Sequence, residues 1–218
     1  MNVLQPQRDY YDKYWATGQT RYSGDNQGYA PNFRNWMRAQ LRNIADDAAI
    51  LEVGCGDGSF TRNLAEHSSR VTAVDISASQ IARNARAHPE IKFLQHDISE
   101  PFPFENQVFD VIWCSEVLEH LFEPAFALRE MHRLLKPNGR LLVTVPYHGR
   151  FKNLLIALFS WDDHFVPSSP HIRFYTNNSL SKIVSAAGFH SIKIKTCGMG
   201  RPLRDLFVAT NILLRATK

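Results

Sequence analysis

The chain is poor in cysteine and has no long apolar run. Its three cysteines, Cys55, Cys114 and Cys197, lie far apart in 218 residues and show no C-x-x-C spacing. That pattern argues against both a disulfide framework and a zinc site and suits a reducing compartment; no metal-binding residue is singled out, and metal dependence of the chemistry stays open. No stretch approaches the roughly 20 apolar residues a membrane span requires. The start of the chain, Gln5-Pro6-Gln7-Arg8-Asp9-Tyr10-Tyr11, lacks an apolar signal region. No membrane span and a cytoplasmic location are therefore expected. Runs of like charge are also absent. The net charge is +4, but Lys and Arg are scattered, whereas a nucleic-acid face clusters them. Nucleic acid is not expected as a partner. With 21% charged and 44% hydrophobic residues, the composition is that of a globular chain. There is no internal repeat, and one α/β domain over residues 1–218 is expected.

What the chain does have is a glycine-rich turn. Ile50, Leu51 and Val53 read as a short buried strand, because a brief apolar run stopped by glycine suits a parallel sheet. Gly54-Cys55-Gly56-Asp57-Gly58 then turns, and Thr61 to His67 read as a helix. Three glycines in five residues let the backbone bend and let a ligand approach it, while the unpaired N–H groups of the next helix face the same place. A dinucleotide site needs G-x-G-x-x-G. Counted from Gly54 the third glycine falls on Ser59, and counted from Gly56 it falls on Thr61. Neither register fits, which argues against a nicotinamide-dependent oxidoreductase.

Glu52-x-Gly54-x-Gly56-x-Gly58 instead resembles the first motif of the class I methyltransferases that use S-adenosylmethionine, an acid followed by G-x-G-x-G. The resemblance extends over residues 30–218. It implies a Rossmann-like, seven-stranded, mostly parallel sheet with helices on both faces and an antiparallel last strand, and a turn at Glu52, Gly54, Cys55 and Gly56 that holds the cofactor. Val71 to Val74 read as a second strand ending in Asp75, 19 residues after Gly56. A carboxylate at that distance suits the ribose hydroxyls, and Ile76 would pack against the base. Ser77 with Gln80 reads as a capping box for a helix to Ala87, which frees Asp75 for the ligand.

A third strand is expected at Ile91 to Leu94, followed by Asp97 and Ile98, to which the resemblance assigns the adenine contacts. Phe109 to Cys114 read as the fourth strand. Ser115 to Leu121 after it resemble the family's segment ending in Leu-Glu-His, which places Cys114 and Ser115 beside the methionine part of the cofactor. A helix over 31–44 carries Arg34, 18 residues before Glu52. In the ubiquinone-type O-methyltransferases, which this chain resembles, an Arg at a similar offset meets the cofactor carboxylate.

A helix is expected over 124–135, a turn at Lys136-Pro137-Asn138-Gly139, a fifth strand at Leu141 to Val145, a sixth at Ile192 to Thr196 and a seventh at Phe207 to Ala216. Two segments lie outside the sheet. Residues 1–30, rich in Tyr and Gly, either pin a surface segment to the core or form a lid. Residues 149–175 read as an insertion that covers the substrate. The resemblance implies methyl transfer to a small-molecule substrate, with oxygen the expected acceptor. Alignment of donor and acceptor carries most of such a reaction, aided by a base. His148, at the rim of the fifth strand, is the expected base. His164 and His171 are the other choices, and His120 is expected to be structural. An RNA methyltransferase and a non-catalytic cofactor-binding protein are the competing readings.

Overall fold

The computed structural model describes residues 5–17, 30–166, 169–198 and 209–218. Its centre is a seven-stranded sheet: β1 (Ile50–Val53), β2 (Val71–Asp75), β3 (Lys92–Gln95), β4 (Phe109–Ser115), β5 (Leu135–Pro146), β6 (His190–Cys197) and β7 (Asn211–Thr217), in the order β3-β2-β1-β4-β5-β7-β6. All neighbours are parallel except β7, which runs antiparallel between β5 and β6. The expected architecture is therefore present. β1 pairs with β2 on one side and β4 on the other. The strand order reverses there, and a crevice opens beyond the carboxyl ends of the strands at such a point.

The helices are α1 (Gln5–Ala16), α2 (Ala30–Leu41), α3 (Ser59–Ala65), α4 (Ala78–Ala87), α5 (Pro124–Leu134), α6 (Arg150–Phe159), α7 (Trp161–His164) and α8 (Asn177–Ala186). Strand alternation splits the core between the two faces of the sheet. Leu51, Val53, Ile112, Cys114, Val143 and Leu214 point to one face, under Leu128 and Met131 of α5 and Leu180 and Val184 of α8. Ile50, Val111, Trp113 and Leu142 point to the other, under Phe33, Met37 and Leu41 of α2 and Leu64 of α3.

Several boundaries differ from the sequence reading. β3 begins at Lys92 rather than Ile91, α3 at Ser59 rather than Thr61, and α2 ends at Leu41 rather than Ile44. Lys136 to Gly139 is not a turn before β5 but a bulge inside it. Phe109 pairs with Leu135 and Val111 with Arg140, so the chain between those partners loops out of register. Asn138 takes φ 63° in that bulge, a conformation Asn tolerates better than most residues. β7 starts at Asn211, and Phe207 lies outside the described residues, as do 1–4 and 18–29 of the N-terminal segment and 167–168 of the insertion.

Candidate functional site

A cavity of about 360 Å³ opens at the carboxyl ends of β1, β2 and β4, within the size range of small-molecule sites. The glycine turn forms one wall. Gly54 has φ +76°, and a Cβ there would lie 2.3 Å from Val117 Cγ2. Only glycine fits where that turn passes the segment after β4. A Cβ on Gly56 would meet the Trp15 ring at 3.2 Å, so α1 lies directly over the turn. Tyr11 and Trp15 of α1 both border the cavity. Asp12 ties that helix down by accepting from the Ser77 hydroxyl at 2.6 Å.

Asp75 stands at the end of β2 and is buried. One carboxyl oxygen accepts from the Gly56 N–H at 2.8 Å and the other from the Ser77 N–H at 2.9 Å. The Ser77 hydroxyl caps α4 at Gln80 as expected, but the return arm of the expected capping box is taken by Asp75 instead. Burial raises the Asp75 carboxyl above its ordinary range, against the lowering effect of those N–H groups. Glu52 is buried in the middle of β1, where its carboxyl accepts from the Thr61 hydroxyl of α3. Burial pushes it up to about 8, and the Thr61 bond only partly opposes the shift. Cys55 borders the cavity with its thiol pushed up by burial. Ile76, Asp97 and Ile98 line the opposite wall, and Asp97 holds its loop by accepting from the Ser99 N–H at 3.0 Å.

The far end of the cavity is built by the segment after β4. Glu116 has φ 54°, a left-handed conformation that costs a side-chain-bearing residue roughly 1–2 kcal/mol. It is held there by its N–H to the Thr144 carbonyl at 2.9 Å, and by donors to its carboxyl from Thr144 at 2.9 Å and Asn211 at 3.0 Å. Burial raises that carboxyl to about 7. Glu119, on the short turn Leu118–His120, is 1% exposed, and neither carboxyl oxygen has a hydrogen-bond partner. Burial, then the nearby Glu116, drive it well above the carboxylate range. His120 Nδ1 is 3.0 Å from the Pro170 carbonyl, so that nitrogen carries the proton and donates. Burial lowers the imidazole to about 4. The His171 ring lies 4.9 Å from it. One oxygen or ring nitrogen from each of Glu119, His120 and His171 falls within 4.8 Å of the others, close enough to hold one ion or one polar group of a ligand.

Of the residues named from sequence, Glu52, Gly54, Cys55, Gly56, Asp75, Ile76, Asp97 and Ile98 border this cavity. Arg34 is half-buried on α2, with its guanidinium 5.6 Å from the centre of the Phe60 ring, which does border it. Cys114 is fully buried in the apolar core beneath α5. The next residue, Ser115, faces the cavity instead. His148 also stands apart from the lining. It is 5% exposed, with Nδ1 3.2 Å from Asn153 Oδ1 and its ring among those of His164, Phe165 and Phe174. Burial, with Lys152 beside it, lowers His148 to about 4. The imidazoles on the cavity wall are His96, next to Asp97, then His120, expected to be structural, and His171. Tyr11, Trp15, Glu116 and Glu119 were not singled out. The acid spacing in Glu116-Val117-Leu118-Glu119 was the available signal.

Residues 51–143 match the family model described as a methyltransferase domain. A probable S-adenosylmethionine-dependent methyltransferase of Mycobacterium tuberculosis is 29% identical over 160 residues, covering 72% of this chain and 54% of that protein. A ubiquinone biosynthesis O-methyltransferase of Aeromonas salmonicida is 29% identical over 147 residues, covering 64% of this chain and 61% of that one. The chain thus spans little more than half the length of these relatives. A methyltransferase structure from Mesorhizobium loti superposes with a TM-score of 0.69 at 21% identity, over 90% of this chain and 100% of the other, and so shares the fold.

Proposed function

We propose that this chain, a class I S-adenosylmethionine-dependent methyltransferase, moves a methyl group onto an oxygen of a small molecule. The observation that carries the reading is the convergence of Gly54, Gly56, Asp75 and Asp97 on one cavity at the strand-order reversal. When bound, S-adenosylmethionine supplies a methyl group made electrophilic by its sulfonium. The residues present suit it. Gly54 and Gly56 carry no side chain of their own to screen the backbone. Asp75 would hold the ribose hydroxyls, Asp97 and Ile98 would meet the adenine, and Glu52 lies under the turn. Arg34 reaches the cofactor carboxylate only if it leaves the Phe60 ring, and Cys114 acts through packing beneath the site.

α1 serves as the lid over the cofactor, since Trp15 covers the turn and Asp12 latches onto Ser77. The described part of residues 149–175 contributes to the proposed acceptor side through His171, which reaches the cavity. The likeness to the ubiquinone biosynthesis O-methyltransferases supports oxygen as the accepting atom. His120 and His171 are better placed than His148 to meet that acceptor. Calorimetric titration with S-adenosylhomocysteine and with a nicotinamide dinucleotide tests the reading. Binding of the first and not the second is expected, and the reverse refutes it.

A further inference from the structure

The cavity has an unbalanced lining. Glu52, Asp57, Asp75, Asp97, Glu116 and Glu119 border it, and among the described residues no Lys or Arg does. This is a property of the cavity and not of the whole chain, whose net charge is +4. Asp75 and Asp97 have work to do on the cofactor, and Glu52 is satisfied by Thr61. Glu116 and Glu119 remain at the other end. Glu116 is held by Thr144 and Asn211. Glu119 is 1% exposed, and among the described residues neither of its carboxyl oxygens has a hydrogen-bond partner.

A buried carboxyl with neither oxygen satisfied is costly, because no protein donor replaces the water it gave up. Its nearest charged-capable neighbour is His120 Nε2 at 3.9 Å. That is beyond hydrogen-bond distance, and the Nδ1 proton of the ring goes to the Pro170 carbonyl. Burial keeps the Glu119 carboxyl protonated while the cavity is empty; a cation arriving with the ligand supplies the missing donors and lets the proton leave to solvent. The surroundings favour an organic cation. The Tyr11 ring stands edge-on to His120 with centroids 5.8 Å apart, and Tyr11 and His171 both border the cavity. Carboxyls flanked by aromatic faces are how proteins hold ammonium groups. A carboxylate or phosphate entering here would meet six acidic side chains and, among the described residues of the wall, no Lys or Arg.

We propose that the Glu119 end of the cavity receives an ammonium group of the methyl acceptor, so that this chain acts on hydroxyl-bearing amines and not on acids or phosphate esters. The inference rests on the methyltransferase reading above and adds the charge class of the acceptor. Three phenols that share a ring and a hydroxyl but differ in charge make suitable probes: tyramine, 4-ethylphenol and 4-hydroxyphenylacetate. Their affinities are measured by calorimetry on the protein saturated with S-adenosylhomocysteine, with a chelator present throughout. Tyramine is expected to bind at least about tenfold more tightly than 4-hydroxyphenylacetate, with 4-ethylphenol between them. In Glu119→Gln, tyramine loses about tenfold in affinity, while 4-ethylphenol and S-adenosylhomocysteine keep theirs. The anion binding as well as the cation overturns the proposal, as does binding by none of the three. So does selectivity that disappears with the chelator, which would assign Glu119 to a metal ion. The wild-type ranking stands even if the variant fails to fold. Failure of S-adenosylhomocysteine to bind at all would instead sink the methyltransferase reading.

Discussion

Glu52 is the residue whose titration the fold perturbs in the most measurable way. It lies in the middle of β1, 2% exposed, with only the Thr61 hydroxyl donating to it. Burial, reinforced by Asp57 and Asp75, raises its carboxyl from 4.5 to about 8. Below pH 4.5 the group is protonated in both the folded and the unfolded chain and contributes no pH dependence. Above it the unfolded chain ionises while the folded chain holds its proton, so stability falls as pH rises, by about 1.4 kcal/mol per pH unit. The fall ends near pH 8. The shift of 8 minus 4.5 units corresponds to a total of about 5 kcal/mol, at about 1.36 kcal/mol per unit. Glu52→Gln keeps the shape and an acceptor for Thr61 but cannot ionise. Urea unfolding at pH 5 and pH 8 should show the variant gaining most of that total on the wild type across the interval, in the absence of cofactor. Asp75, Glu116 and Glu119 are raised by burial too, so both proteins slope downward, and the difference between them isolates Glu52. Parallel slopes would refute the burial argument.

Gly54→Ala places a methyl 2.3 Å from Val117 Cγ2 at φ +76°. The backbone strain and overpacking together should cost about 2–5 kcal/mol, seen as a lower midpoint in urea with loss of S-adenosylhomocysteine binding. Asp75→Asn removes the charge at the proposed ribose position and keeps only one of the two acceptors used by the Gly56 and Ser77 N–H groups. Calorimetry should show about 10–100-fold weaker cofactor binding, and the N–H left facing the amide should cost about 1–3 kcal/mol of stability. If α1 is a lid, S-adenosylhomocysteine should slow hydrogen exchange over residues 8–17 in the wild type but not in Trp15→Ala, and equal exchange with and without ligand removes the lid. His148→Ala should melt earlier through loss of its ring contacts with Phe165 and Phe174, yet bind S-adenosylhomocysteine unchanged. A loss of cofactor affinity would return His148 to the site.

The half of the cavity proposed to hold the cofactor was legible in the sequence because local rules write it. Ile50 to Val53 can only be a buried strand. Gly54 and Gly56 mark a turn whose neighbours, Val117 and Trp15, exclude a side chain. Asp75 follows a strand at a distance the sheet sets. The acceptor half depends on contacts that no local rule contains. His120 and His171 meet across 51 residues, after the chain has run through β5, α6 and α7. Neither their spacing nor their flanks announces the meeting. His148 sits on the strand end where α/β sites lie, but α7 and Phe174 fold back over it, and rim position alone does not say which side of the rim faces the ligand. Cys114 against Ser115 turns on strand parity: the β4 face that carries Ile112 and Cys114 belongs to the core under α5, so the next residue reaches the cavity. The bulge at Lys136 to Gly139 has turn chemistry, but the pairing of Leu135 with Phe109 keeps it within β5. The proposed cofactor contacts lie at strand ends, whose order follows the chain. The proposed acceptor contacts come from a short turn after β4 and a segment that returns after α7. A change of acceptor can therefore leave the glycine turn and Asp75 intact, and Glu119, His120 and His171 are the positions where it would show.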